Sequence, residues 1–202
     1  MPLYHHAYDY APRYYFSFAL LDREGRDVSK SFAFWLDQNM RKGMQAPIPA
    51  EVRPLVARQK NATKVKYDIL FGTYVPLVSQ GFKDLVEEFA PGENYFYNLE
   101  MFVKSGLKPE KTYYIMQLRT ILDTIIVDKS SITVNVDKFG LKSYTPLGVG
   151  DYRTLREKDV RSSKIWVEKM FPEHIFMSDD FYKEFSRRGL SGFRHLYKAD
   201  LE

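Results

Sequence analysis

An α+β fold on mainly antiparallel or mixed sheet is what this 202-residue sequence predicts, on three observations. Extended apolar runs recur along its length, helix-spaced apolar residues are few, and the clearest helix patterns lie inside a strand-helix-strand unit that occurs twice. In the first copy Tyr74-Val-Pro-Leu-Val-Ser79 reaches a serine, and Phe82, Leu85, Val86 and Phe89 follow at helical spacing. Pro91-Gly92 then breaks the pattern and Tyr95-Phe96-Tyr97 resumes an extended one. In the second copy His174-Ile-Phe-Met-Ser178 precedes Phe181 and Phe185, Gly189 is the stop, and Phe193 with Leu196 belongs to the closing strand. Each serine can cap its helix by accepting from a free backbone N–H, and each glycine can take the left-handed conformation that ends one. The helices are expected to pack on sheet through Phe82, Leu85, Val86 and Phe89 in one copy and Phe181 with Phe185 in the other.

Taken in order, Tyr14-Tyr-Phe-Ser-Phe-Ala-Leu-Leu21 reads as a first strand, Asp22-Arg-Glu-Gly25 as a turn, and Ser31-Phe-Ala-Phe-Trp35-Leu36 as the return strand of a hairpin. Residues 43–54, with Pro47, Pro49 and Pro54, read as a loop, and residues 53–59 allow one short helical turn. Val65-Lys-Tyr-Asp-Ile-Leu-Phe71 reads as a strand. After the first repeated unit the strand continues through residues 99–103, Lys104-Ser-Gly-Leu-Lys-Pro-Glu110 is a loop, and Lys111-Thr-Tyr-Tyr-Ile-Met-Gln-Leu118 is a strand. Ile121, Leu122, Ile125 and Ile126 fit a helix face by spacing and a buried strand by β-branching, and the shortness of the run favours strand. Ser131-Ile-Thr-Val-Asn-Val-Asp137 alternates, with Ile132, Val134 and Val136 on one face, and residues 139–152 read as an exposed connection. Lys164-Ile-Trp-Val-Glu-Lys169 leads into the second repeated unit. No long linker interrupts the chain, so residues 1–202 are expected to form a single domain. Within it, residues 1–73 read as an N-terminal hairpin and basic loop region and residues 74–202 as the core.

Composition narrows the function. Fifteen Tyr, fifteen Phe and two Trp favour strands and aromatic contact surface. The absence of cysteine excludes disulfides, thiolate metal sites and cysteine nucleophiles. No run approaches the length of a membrane span, and a cytoplasmic protein without membrane contact is expected. The net charge of +4, from 30 basic and 26 acidic residues, suits a mixed, solvated surface.

Charge is nevertheless segregated. Between residues 41 and 68, Arg41, Lys42, Arg53, Arg58, Lys60, Lys64 and Lys66 stand against Glu51 and Asp68 alone. From residue 83 to 100, Asp84, Glu87, Glu88, Glu93 and Glu100 face only Lys83. Segregation of this kind steers a partner of opposite sign, so Arg41, Lys42, Arg53, Arg58, Lys60 and Lys64 are the candidate partner-binding residues. Solvated loop and helix faces would show the same charges. A nucleic-acid-binding or regulatory module using residues 41–68 is the alternative, although the interleaved Tyr67 and Phe71 continue a strand pattern and no nucleic-acid motif accompanies them.

Catalytic constellations are scarce. The four histidines are His5, His6, His174 and His195; the adjacent pair lacks the separated geometry of a structural zinc site, and the other two sit at ends of the second repeated unit. The sequence contains no nucleophile elbow, phosphate-binding P-loop or dinucleotide fingerprint. Asp179-Asp180 directly after Ser178 complements a helix dipole, and Glu87-Glu88 falls on the outward side of its helix. No cofactor, metal or enzymatic activity is expected.

Several motifs, in order, resemble a bacterial polymorphic-toxin immunity family, the immunity-MXAN or immunity family eleven domain. They are Pro76-Leu-Val-Ser79-x-x-Phe-x-x-Leu-Val with Ala90-Pro-Gly-Glu93, Tyr113-Tyr-Ile with Asp123 and Asp128-Lys-Ser130, and Ile175-Phe-Met-Ser178-Asp with Gly189-Leu-Ser-Gly192-Phe-Arg194. They span residues 74–197; residues 1–73 carry no such motif, and Leu118-Arg119-Thr120 departs from the pattern. The resemblance implies a non-enzymatic protein that neutralises a cognate secreted toxin by direct binding. It brings no catalytic residue, small-molecule substrate or nucleic-acid partner with it.

Overall fold

The computed structural model describes residues 4–8, 17–40, 46–71, 75–138, 140, 142–146, 153–193 and 195–202. In chain order these form β1 (Tyr4–Tyr8), β2 (Phe18–Leu21), α1 (Ser29–Met40), β3 (Val56–Gln59), β4 (Ile69–Leu70), β5 (Leu77–Ser79), α2 (Gln80–Phe89), β6 (Tyr95–Phe102) and β7 (Tyr113–Gln117). They continue with β8 (Ile121–Leu122), β9 (Ile132–Val136), β10 (Lys142–Pro146), β11 (Arg153–Leu155), α3 (Glu157–Val160), β12 (Ile165–Glu168), β13 (Phe171–Ser178), α4 (Asp179–Arg187) and β14 (His195–Leu201). The class is α+β with mixed sheets, as the sequence predicts.

Two compact units share the chain. The first comprises Tyr10–Arg119 and Phe185–Gly192; the second comprises Met1–Asp9, Thr120–Glu184 and Phe193–Glu202. In the first unit the strand order is β2-β3-β6-β7-β5-β4, and in the second it is β11-β14-β1-β13-β12-β8. Five positions correspond. The run β3-β6-β7-β5-β4 and the run β11-β14-β1-β13-β12 both begin with a parallel pair followed by three antiparallel pairs.

The registers correspond as well. Ser79 pairs with Tyr113 and Ser178 with Tyr4, and these tyrosines pair on their other side with Leu99 and Ala199. Ile69 pairs with Val78, one residue before the first serine, as Ile165 pairs with Met177, one before the second. The repeat in the sequence is therefore a split strand-helix-strand unit, in which a third, antiparallel strand lies between its two strands. In the first unit β7, next in the chain after β6, fills that place. In the second it is β1, from the opposite end of the sequence.

The caps follow the sequence signals. Ser79 Oγ accepts from the Phe82 N–H at 3.3 Å, and Ser178 Oγ accepts from the Phe181 N–H at 3.4 Å. Each serine N–H in turn donates to the carbonyl one residue before the neighbouring strand, Asp68 in one unit and Lys164 in the other. Phe82, Leu85, Val86, Phe181 and Phe185 are buried, whereas Phe89 is only half-buried. The Phe185 ring meets Phe82 edge-on at 6.0 Å, so its aromatic contact is with α2 in the first unit. The core of the second unit gathers Trp166, Phe176, Phe171, Leu155, Ile125 and Val160, with Trp166 stacked on Phe176 at 5.6 Å.

Several local expectations are corrected. The return strand at residues 31–36 is instead part of α1: Asp27 Oδ1 accepts from the Ser29 N–H, and Phe32 and Leu36, one helical turn apart, are both fully buried. Val56–Gln59 is a strand, not a helical turn, because pairing with β2 and β6 holds it extended. Within residues 65–71 only Ile69–Leu70 is strand. The connection after residue 139 contains β10, which pairs with β9 along its whole length. On β9, Val134 and Val136 are exposed at 36% and 60%. Tyr14 and Tyr74 lie outside the described residues.

Candidate functional site

The basic segment is built into the sheet. On β3 the burial alternates, with Ala57 and Gln59 buried while Arg58 faces solvent. Gln59 then organises the turn that follows: its Oε1 accepts from the Asn61 N–H at 2.7 Å and from the Ala62 N–H. Lys60 and Lys64 are exposed on that turn. The Lys104 N–H donates to the Ala62 carbonyl at 3.0 Å, which ties the loop after β6 to the segment carrying both lysines. Gly106, at φ +84°, closes that loop, and Lys104 and Lys108 are exposed on it.

Phe102 at the end of β6 is the centre of this corner. Arg58 lies over its ring at 5.6 Å and Lys108 at 5.9 Å, while Lys108 also pairs with Glu100 at 2.7 Å. Each such cation–ring contact contributes about 0.5–1 kcal/mol when exposed. Arg58, Lys60, Lys64 and Lys104 are in no ion pair among the described residues.

Arg53 is placed differently. It lies over Tyr97 at 4.9 Å, and Tyr97 is five residues from Phe102 on the same strand, hence on the opposite face. That face is covered: the Tyr97 hydroxyl donates to Gln117 Oε1 and accepts from the Ile48 N–H, both at 2.8 Å, and Ile48 is buried. The structure thus gathers Arg58, Lys60 and Lys64 and separates Arg53 from them. Arg41 and Lys42 lie outside the described residues. Sequence reasoning missed Phe102, Lys104 and Lys108; the lysines flanking Gly106 were the available signal, but nothing local says that this loop returns to residue 62.

On the acidic stretch, Glu88 pairs with Arg188 at 2.5 Å and Glu87 accepts from the Gly92 N–H, so both carboxylates have partners within the first unit.

A second cluster joins several of the family-like motifs. Asp68 is buried and accepts from Ser79 Oγ and Lys111 Nζ, both at 2.7 Å, on one oxygen, and from the Ser191 N–H and Oγ on the other. Burial pushes this carboxyl up, but hydrogen bonds from Lys111, Ser79 and Ser191 outweigh it and hold Asp68 below the ordinary range. The Ser191 carbonyl accepts from the N–H groups of Asp68 and Ile69, and Gly192 rests against the Ile69 backbone. Ser79, Ser191 and Gly192 serve this docking, so their role is structural. In the second unit Lys164 pairs with Asp180 at 2.6 Å and Ser178 Oγ donates to Asp180, which carries the same serine cap with the charges exchanged.

Other titratable groups are held by partners within their own unit. Burial pushes the Glu168 carboxyl up, against bonds from the Thr124 hydroxyl and N–H and the Trp166 indole N–H. His174 is buried and stacked on Phe171. The side chains of His5, His6 and His195 lie outside the described residues. Among the described residues no group of three or more His, Cys, Asp or Glu is arranged to hold a metal, and no helix is long and apolar enough to cross a membrane.

A duplicated split strand-helix-strand scaffold with a cationic corner on one sheet defines a protein whose conspicuous surface feature is charge. The chain belongs to the Imm11 immunity protein family, whose family model matches residues 18–199. The match reaches back to residue 18, well before the motifs at residues 74–197, so β2, α1, β3 and β4 are family structure too. No curated protein matches the sequence.

Proposed function

We propose that this chain is an immunity protein that neutralises a cognate secreted toxin by binding it directly, without catalysis, in the cytoplasm of the cell that makes it. The observation that carries this reading is the family match over residues 18–199. The cationic corner supports it, since such a surface accelerates capture of an acidic partner. The buried polar groups agree with a scaffold role: Asp68, Glu168 and His174 all have partners within their own unit.

Locating a secreted-toxin gene next to this one and co-expressing the two tests the reading. Cells carrying both should survive induction that kills cells carrying the toxin alone, and the two proteins should co-purify. Death despite abundant folded protein would overturn it.

A further inference from the structure

We propose that the open face of β2, β3 and β6 is the docking surface for the toxin, and that it seats an acidic patch of that protein around Phe102; this rests on the reading of neutralisation by binding. Burial alternates along β2, β3 and the second half of β6. One face carries Phe18, Leu20, Ala57, Leu99 and Met101, all buried. The other carries Ala19, Leu21, Val56 and Phe102, all only half-buried, beside exposed Arg58 and Glu100. A solvated sheet face ordinarily presents polar residues at the outward positions. Here Ala19, Arg58 and Phe102 form one row across the three strands and Leu21, Val56 and Glu100 the next; apolar area with an arginine and an aromatic ring among it is the composition of a binding surface. Arginine and aromatic residues dominate binding hot spots, and Arg58 against Phe102 supplies both at one point. Leu107, 69% exposed, adds an apolar contact from the adjoining loop.

The charges select the occupant. Exposed Arg58 stands within the face and exposed Lys60, Lys64 and Lys104 follow at the ends of β3 and β6, none in an ion pair among the described residues, while Glu100 is already neutralised by Lys108. A second copy of the same chain would bring like charges together at this corner, which costs free energy. A nucleic acid would supply phosphates, but Phe102 is the single aromatic ring among the outward positions named above, whereas single-strand binding stacks successive bases on several rings. An acidic protein surface with an apolar centre satisfies both features.

The test measures binding of the purified neighbouring toxin to wild-type protein, Arg58→Glu, Lys104→Glu and Phe102→Ala at low and high salt, with Lys158→Glu on α3 as control. Folding is checked by circular dichroism and melting; the exposed positions Arg58 and Lys104 keep the test valid if Phe102→Ala unfolds. Arg58→Glu and Phe102→Ala should each weaken the Kd about 30-fold or more, as hot-spot residues do. Lys104→Glu should slow association and flatten its salt dependence, and Lys158→Glu should behave as wild type. If the wild type binds and rescues while Arg58→Glu and Lys104→Glu bind equally well, the docking surface lies elsewhere and the immunity reading stands. If the wild type neither binds nor rescues, that reading falls and the docking proposal with it. Tight binding of labelled single-stranded RNA or duplex DNA, lost in Arg58→Glu without any toxin binding, would overturn both in favour of a nucleic-acid module.

Discussion

Replacing Gly192 by alanine puts a methyl group where the Ile69 backbone already is. The added Cβ would lie 2.5 Å from the Ile69 carbonyl oxygen and 2.7 Å from its nitrogen, about 1 Å inside the 3.4 Å at which ordinary van der Waals contact begins. Ile69 cannot withdraw easily, because β4 pairs with β5 and the Ile69 N–H is held by the Ser191 carbonyl at 3.1 Å. The segment carrying Ser191 must move instead. That stretches four hydrogen bonds: two from Ser191 to Asp68 Oδ2, and two from the Asp68 and Ile69 N–H groups to the Ser191 carbonyl. At about 0.5–1.5 kcal/mol for each bond, their loss costs roughly 2–6 kcal/mol. The positive φ of +130° adds to this, since the left-handed region costs an alanine roughly 1–2 kcal/mol.

Gly106 supplies the control. It has φ +84° and nothing within 4 Å of an added Cβ, so Gly106→Ala should cost only the conformational part, about 1–2 kcal/mol. Urea denaturation followed by circular dichroism should therefore separate the two variants by at least about 2 kcal/mol. A chain of this size shifts roughly 2–4 °C per kcal/mol, so the melting temperatures should differ by several degrees. Should Gly192→Ala prove no worse than Gly106→Ala, the close approach at Ile69 would not be a constraint on the fold, and the Asp68 cluster would not be the anchor described above.

The other predictions concern the same scaffold. Asp68→Asn should destabilise by about 2–4 kcal/mol at neutral pH, since it removes the charge paired with Lys111 and leaves an NH2 group facing donors on one side, either Lys111 and Ser79 or Ser191. Because the folded carboxyl is held below its ordinary value, that contribution is present above about pH 4 and fades as pH falls through the lowered value. The gap between wild type and variant should therefore close in acid, and a gap that widens would contradict the assignment. Phe82→Ala and Phe181→Ala, both at fully buried rings, should each cost about 3–5 kcal/mol in denaturant titrations. Ser178→Ala should cost about 0.5–2 kcal/mol, the value of a helix cap, and Ser79→Ala should cost more because its hydroxyl also donates to the buried Asp68, whereas that of Ser178 donates to the exposed Asp180. Val136→Lys, at an exposed position of β9, should stay within about 0.5 kcal/mol of wild type.

What could be read from the sequence was local. Ser79, Ser178, Gly92 and Gly189 mark helix ends by their own chemistry, so the two strand-helix-strand units are legible in the sequence. Residues 31–36 read as a strand because five apolar side chains, Phe32, Ala33, Phe34, Trp35 and Leu36, in a short run satisfy a strand as well as a helix. The decisive signal, Asp27 two residues before Ser29, sat outside that run. Val56–Gln59 is hidden because Pro54 lies just before it and Arg58 is one of only two outward residues; only pairing with β2 and β6 makes it a strand. Charge drew attention to residues 41–66, yet period-two geometry alone decides that Arg53 and Arg58 meet opposite faces of β6. The return of the Lys104 loop to Ala62 is a tertiary contact with no local signature.

The place of β1 between β13 and β14 has a kinetic consequence. Its residues are synthesised long before those of both partners, so Tyr4 waits for both Ser178 and Ala199. Until then β13 and β14 present unpaired edges to each other's neighbours and to other chains, the condition in which strands aggregate. The first unit faces no such delay within β5, α2, β6 and β7, whose pairings close over short stretches of chain. Closing distant strands carries the larger entropy cost, so amide protection during refolding should rise in β5–β7 before it rises in β1 and β14. The two copies of one architecture, alike in register, would then differ in how fast they assemble, because the chain threads their middle strands from opposite directions.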